Sequence, residues 1–180
     1  MTTKINYRRA FAGLLLGGLF LTVQTASAQI WSSAGSACTP DEDTVSAGLY
    51  DVFSNGTFLF KSGQIGSIKA RCPVTNPMDA GGSPGWNALT VGYVDPDGTG
   101  ANYQVYAQLV AVKRDTGAIT VVKSFFSNSF TATTATSNSV TLPAGYAWDF
   151  ANYAYYVGIN VERANTAGNP GVWFVKLSKN

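Results

Sequence analysis

Tyr103-Gln104-Val105-Tyr106-Ala107-Gln108-Leu109-Val110-Ala111-Val112-Lys113-Arg114 is followed by Asp115-Thr116-Gly117 and then by Ala118-Ile119-Thr120-Val121-Val122-Lys123-Ser124-Phe125-Phe126. Along the first segment Tyr103, Val105, Ala107, Leu109 and Ala111 fall on one side, and Gln104, Tyr106, Gln108, Val110 and Val112 on the other. A period of two is that of a β-strand with one face in a core. The Asp-Thr-Gly between the segments supplies turn chemistry, so the stretch reads as a hairpin.

The same pattern extends in both directions. Downstream, Tyr153, Tyr155, Val157, Ile159 and Val161 alternate against Ala154, Tyr156, Gly158, Asn160 and Glu162, and Val172 to Leu177 follows the turn signal Asn169-Pro170-Gly171. Upstream, Gly48 to Phe53 and Thr57 to Lys61 flank Asn55-Gly56, a pair that accepts a type I′ turn. Gln64 to Cys72 is a third strand, which Pro73 is expected to end because proline cannot donate to a ladder. Pro73 to Gly85 then reads as a long loop before the sheet resumes at Trp86 to Val94. Ser127 to Ser139, rich in Ser, Thr and Asn, reads as a crossing between sheets ahead of a short strand, Val140 to Leu142. No segment sustains a helical period. The fold class is therefore all-β: a single antiparallel β-sandwich, jelly-roll-like domain spanning 29–180.

Residues 1–28 are expected to be a signal peptide. Lys4, Arg8 and Arg9 precede an apolar run from Ala10 to Val23, and Ala26-Ser27-Ala28 has the small residues that signal peptidase accepts. The run is about 14 residues, short of the roughly 20 that cross a bilayer, so stable membrane insertion is not expected and the protein is placed in the periplasm or outside the cell. Cys38 and Cys72 then meet an oxidising compartment and are expected to pair.

The chain has 12 Lys+Arg and 10 Asp+Glu. Three of the basic residues leave with the leader, so the remaining domain is close to neutral. Its basic residues are scattered, which argues against nucleic acid, whose binding needs clustered Lys and Arg.

The stretches Arg71-Cys72-Pro73-Val74-Thr75-Asn76-Pro77, Leu89-Thr90-Val91-Gly92-Tyr93-Val94-Asp95-Pro96-Asp97-Gly98-Thr99-Gly100 and Tyr155 to Leu177 resemble those of small exported proteobacterial β-domain proteins, a family without an assigned activity. The resemblance implies export and a β fold, and no function.

The chain contains no His, so Ser-His-Asp and Cys-His catalysis and His-ligated metals are excluded. Carboxylate chemistry survives. A glycoside hydrolase needs two carboxyl groups facing one bond, and Asp51, Asp149 and Glu162 are the residues to weigh, although solvation accounts for Asp149 and Glu162 more simply. Asp41-Glu42-Asp43 reads as a solvated loop. Asp95 and Asp97, with Gly100 in the sixth position, resemble the start of a calcium loop, whereas the plainer reading of Asp95 to Gly100 is a tight turn. Trp86, Tyr106, Trp148 and Tyr156 are the aromatics expected to face outward and available to stack on a sugar. The main reading is a non-enzymatic structural or interaction module of the envelope or extracellular space, with an envelope or matrix partner. The alternative is a carbohydrate-binding module using exposed aromatics, and a carboxylate-based glycoside hydrolase is the weaker third reading.

The exported protein is expected to begin at Gln29. Its intact mass by mass spectrometry will then be that of the disulfide form, with no thiol open to alkylation in the native state.

Overall fold

The computed structural model describes residues 29–78 and 82–180; the expected leader at 1–28 lies outside them. Among the described residues the strands, in chain order, are β1 (Trp31–Ala34), β2 (Thr39–Pro40), β3 (Tyr50–Val52), β4 (Phe58–Phe60), β5 (Gly66–Val74), β6 (Ala88–Val94), β7 (Tyr103–Lys113), β8 (Ile119–Phe126), β9 (Thr136–Thr141), β10 (Tyr153–Arg163) and β11 (Gly171–Ser178), and the α-helix is α1 (Glu42–Ala47). They form two antiparallel sheets. One runs β3-β4-β11-β6-β9, with β1 also on β11; the other runs β2-β5-β10-β7-β8. Successive strands pass repeatedly between the sheets, as in a jelly roll. Among the described residues no helix is long and apolar enough to cross a membrane.

β10 is paired with β7 along its whole length and with β5 from Tyr155 to Arg163 on the other side. Its alternation puts Val157, Ile159 and Val161 into the core, in one buried cluster with Leu89, Val91 and Val175 of the other sheet. The inward faces of both sheets thus bury one apolar cluster, as a sandwich requires. β7 alternates as its sequence predicts, with Val105, Ala107 and Leu109 fully buried.

Three local readings change. Pro73 does not end β5: it lies within the strand, opposite Tyr156. Two residues apart along a strand, backbone groups point to the same side. The Lys69 amide donates to Thr44 Oγ1 and the Lys69 carbonyl accepts from Asp41, both on the β2 side. Pro73 therefore turns its missing N–H to that side, and β2 pairs only with Ala70 and Arg71, so no ladder bond is lost. Asp41-Glu42-Asp43 is not a loop but the start of α1, with Asp41 as N-cap accepting from the Thr44 amide at 2.9 Å and Gly48 closing the helix at φ 61°. The crossing after Phe126 is shorter than its composition suggests, because β9 begins at Thr136 and pairs with β6.

Cys38 and Cys72 form a disulfide. It joins the segment between β1 and β2, where the chain passes from one sheet to the other, to the inward face of β5. Closing a loop of 34 residues stabilises the fold by about 3–4 kcal/mol on loop-entropy grounds. In the other sheet, β11 carries an irregularity between Val172 and Phe174. Both Trp173 and Phe174 there cover Gly92, where a Cβ would come within 2.5 Å of either ring. Only glycine fits beneath them.

Arg163 continues the inward parity of β10 and is buried. Its guanidinium donates to the carbonyls of Gln64 at 2.9 Å, Thr166 at 3.1 Å, Asn165 at 3.2 Å and Lys61 at 3.4 Å, and lies over the Phe60 ring. One side chain thus satisfies two loops at one end of the sandwich. Arg163→Met is expected to lower stability by roughly 2–4 kcal/mol, because those carbonyls lose their donor. Urea denaturation checks this, and a shift under about 0.5 kcal/mol would mean that water replaces the guanidinium freely.

Candidate functional site

The outward side chains of β5, β10 and β7 line up in rows across the second sheet. Pro73, Tyr156 and Val110 form one row, Arg71, Gly158 and Gln108 the next, and Lys69, Asn160 and Tyr106 the third. Gly158 has no side chain at the centre of this array, and the Tyr156 ring leans toward the space a Cβ would occupy there, at 3.4 Å. The result is a trough of ≈ 220 Å³ walled by Tyr106, Tyr156, Lys69 and Arg71, with Gln108 and Asn160 on its floor. On the other side of Arg71 and Tyr156 lies a second hollow of ≈ 380 Å³, bounded by Thr39, Pro40 and Pro73. Tyr106 and Tyr156 are four residues apart in register, about 13 Å along the strands.

The polar groups of the trough are held in place from outside it. Asn160 Oδ1 accepts from Ser67 Oγ at 2.5 Å and its Nδ2 donates to Glu162 at 2.9 Å. Ser124 stands within 3.4 Å of the Gln108 amide and 3.3 Å of the Tyr106 hydroxyl. The Tyr106 ring rests on Phe126, with centroids 4.7 Å apart. Lys69 and Arg71 are exposed. Asp41 is the one carboxylate in the wall. Burial pushes its carboxyl up, but the hydrogen bonds from Thr44 and the charges of Lys69 and Arg71 outweigh this and hold it below the usual carboxylate range. It is an anion that caps α1, unsuited to donating a proton.

Of the four aromatics expected outside, the structure brings Tyr106 and Tyr156 together on this face. Trp86 and Trp148 must be corrected: both are buried, at 1% and 6% exposure. Their rings meet edge to face at 5.1 Å, Trp148 Nε1 donates to the Trp86 carbonyl at 3.0 Å, and Trp86 Nε1 donates to Gln29 at 2.6 Å. They seal one end of the core and cannot stack on a ligand. Gln108, Asn160, Arg71 and Gly158 were not singled out from the sequence, although they share the outward parity of the two tyrosines.

The carboxylates weighed for hydrolysis do not gather. Asp51 is on β3 of the other sheet, Glu162 is on the outer face of β10, and Asp149 lies in a loop. Asp149 accepts from the Asn152 side chain at 2.8 Å and from the amides of Asn152 and Ala151, and these bonds keep its carboxyl below the usual range. Its oxygens serve a turn. That turn borders another depression of ≈ 380 Å³, between Tyr146, Tyr153 and Val121, which offers mainly apolar surface. Asp95 and Asp97 do come together, beneath the β6–β7 connection. Among the described residues no group of three or more acidic, Cys or His side chains could hold a metal.

No protein-family model matches the chain, and no curated protein matches it. Solved structures with an overall likeness include a low-affinity xylan-binding module, CBM86, from Roseburia intestinalis, at 13% identity and a TM-score of 0.42, covering 84% of this chain and 96% of that one. A xylan-binding module CBM15 is similar at 12% identity and a TM-score of 0.44, covering 84% and 99%. A family 11 carbohydrate-binding module from Clostridium thermocellum, in complex with a mixed-linked tetrasaccharide, follows at 9% identity and 0.38, covering 84% and 88%. The fold described above rests on this chain's own strand pairing and not on these likenesses.

Asp41→Ala is expected to lower stability by about 1 kcal/mol through loss of the helix cap. Because the folded-state carboxyl titrates below its unfolded value, the difference from wild type is present above the ordinary carboxylate pKa and shrinks as pH falls through the folded one. Thermal melts of both proteins at neutral and acidic pH check the sign.

Proposed function

We propose that the domain is an exported, non-enzymatic module that binds a polysaccharide along the outer face of the β2-β5-β10-β7-β8 sheet. The observation that carries this reading is the pair of adjoining hollows sharing Tyr156 and Arg71 as a common wall. Two adjoining hollows suit a chain of repeating units better than a single small ring. Flat phenol faces stack on the apolar faces of sugar rings. Amides and a guanidinium, fixed from behind, supply directional hydrogen bonds to hydroxyl groups. A single carboxylate in the wall, already engaged as a helix cap, supports binding without hydrolysis. The envelope or matrix partner expected of such a module is then the glycan itself.

Native gel electrophoresis through soluble polysaccharides, with xylan, mixed-linkage β-glucan, pectin and dextran as probes, tests the proposal. At least one polymer is expected to retard the protein. Tyr156→Ala and Gln108→Ala should each weaken retardation by about tenfold or more, the equivalent of about 1.4 kcal/mol, with unchanged melting because both side chains lie outside the core. Absence of retardation by every polymer, or variants that bind as wild type does, would overturn it.

A further inference from the structure

The connection from β6 to β7 holds two carboxylates that the glycan reading does not use. Asp95 is 0% exposed at the end of β6. Its Oδ2 accepts from Ser127 Oγ, and that hydroxyl oxygen itself accepts from the Val105 amide at 2.8 Å. Asp97 Oδ2 accepts from the Asn102 amide at 2.9 Å. The second oxygens, Asp95 Oδ1 and Asp97 Oδ1, are both buried and have no hydrogen-bond partner. The two side chains lie against one another.

Two adjacent anions with unpartnered buried oxygens repel each other across a medium that screens poorly, a strongly unfavourable arrangement unless one of them takes up a proton or a cation lies between them. The chain around them is built to hold that arrangement. Gly98 takes φ 63°, and a Cβ there would press on the Thr131 carbonyl at 3.0 Å. At Gly100 a Cβ would strike the Asp97 carboxylate, and Asn128 Nδ2 donates to the Gly100 carbonyl. Turn formation alone explains Pro96 and Gly98, but it does not explain why both carboxylates point into protein with an oxygen left over.

We infer that Asp95 and Asp97 bind one divalent cation of the calcium type through their unpartnered Oδ1 atoms, with the remaining positions filled by main-chain carbonyls and water. Oxygen donors of this kind suit a hard cation of flexible coordination. Nitrogen and sulfur donors for zinc or copper are missing, since the chain has no His and both cysteines are paired. Asp97 is only partly buried, so the ion can reach the site from solvent. The inference stands independently of the polysaccharide reading, because it concerns the β6–β7 connection and not the sheet face.

Calorimetric titration of the full domain with calcium chloride, together with melts in calcium and in chelator, tests it. Wild type should bind one calcium ion, and its melting temperature should rise by roughly 5–10 °C at calcium about 100-fold above Kd. Asp97→Asn removes one anion and places an amide donor beside Asp95. This variant should lose calcium binding yet melt above wild type in chelator, a gain that a merely damaged fold would not produce. No heat of binding and identical wild-type melts in the two conditions would overturn the inference. So would an equal calcium response in Asp97→Asn, which would place the ion elsewhere.

Discussion

The structure depends on the register of β10, which pairs with β7 over all 11 of its residues and with β5 from Tyr155 to Arg163. Because the side-chain period is two, this double pairing fixes every inward and outward position at once, and a slip of one residue would exchange them. Tyr155, Val157, Ile159 and Val161 would leave the core and Tyr156, Gly158 and Asn160 would enter it. Arg163 guards against such a slip at the end of the strand. Only in the present register does its guanidinium reach the carbonyls of Lys61, Gln64, Asn165 and Thr166. At the opposite flank the Cys38–Cys72 bond ties β5 to the segment that leads out of the other sheet.

The same register makes the trough. Gly158 would weaken an ordinary strand interior, but between Arg71 and Gln108 it opens the floor on which the two tyrosines look. The acidic pair is linked to this face through Ser127, which follows Phe126 at the end of β8 and receives the Val105 amide. Val105 is next to Tyr106, whose ring rests on Phe126. An ion at Asp95 and Asp97 would therefore brace the end of the sheet that presents Tyr106, without touching a ligand in the trough.

Alternation made much of this legible before any coordinates. The inward set of β7 and β10, the hairpin at Asp115-Thr116-Gly117 and the outward placement of Tyr106 and Tyr156 follow from parity alone. Parity fails where a residue has no strand to count along. The strand expected from Trp86 begins only at Ala88, which leaves Trp86 just before β6, and Trp148 lies within a loop, so nothing in their neighbours reveals that they meet edge to face in the core. The first part of β9 was hidden because Thr136 to Ser139 carries no apolar face; the strand lies at the sheet edge, where Ser and Thr pair with β6 at little cost. The short helix after Asp41 left too few residues for a helical period, although its cap and Gly48 were signals. That Lys69, Arg71, Gln108 and Asn160 share one surface required knowing which strands are neighbours, which local sequence does not contain.

The central claim is that the register of β10 creates a glycan-binding face. Backbone amide NMR of the ¹⁵N-labelled domain, titrated with oligosaccharides released from whichever polysaccharide retards it, tests this most directly. The account predicts that the perturbed amides cluster at Arg71, Tyr106, Gln108, Tyr156 and Asn160, on three adjacent strands of one sheet. Perturbations confined to the β3-β4-β11-β6-β9 sheet, or to the depression beside Tyr146 and Tyr153, would contradict it.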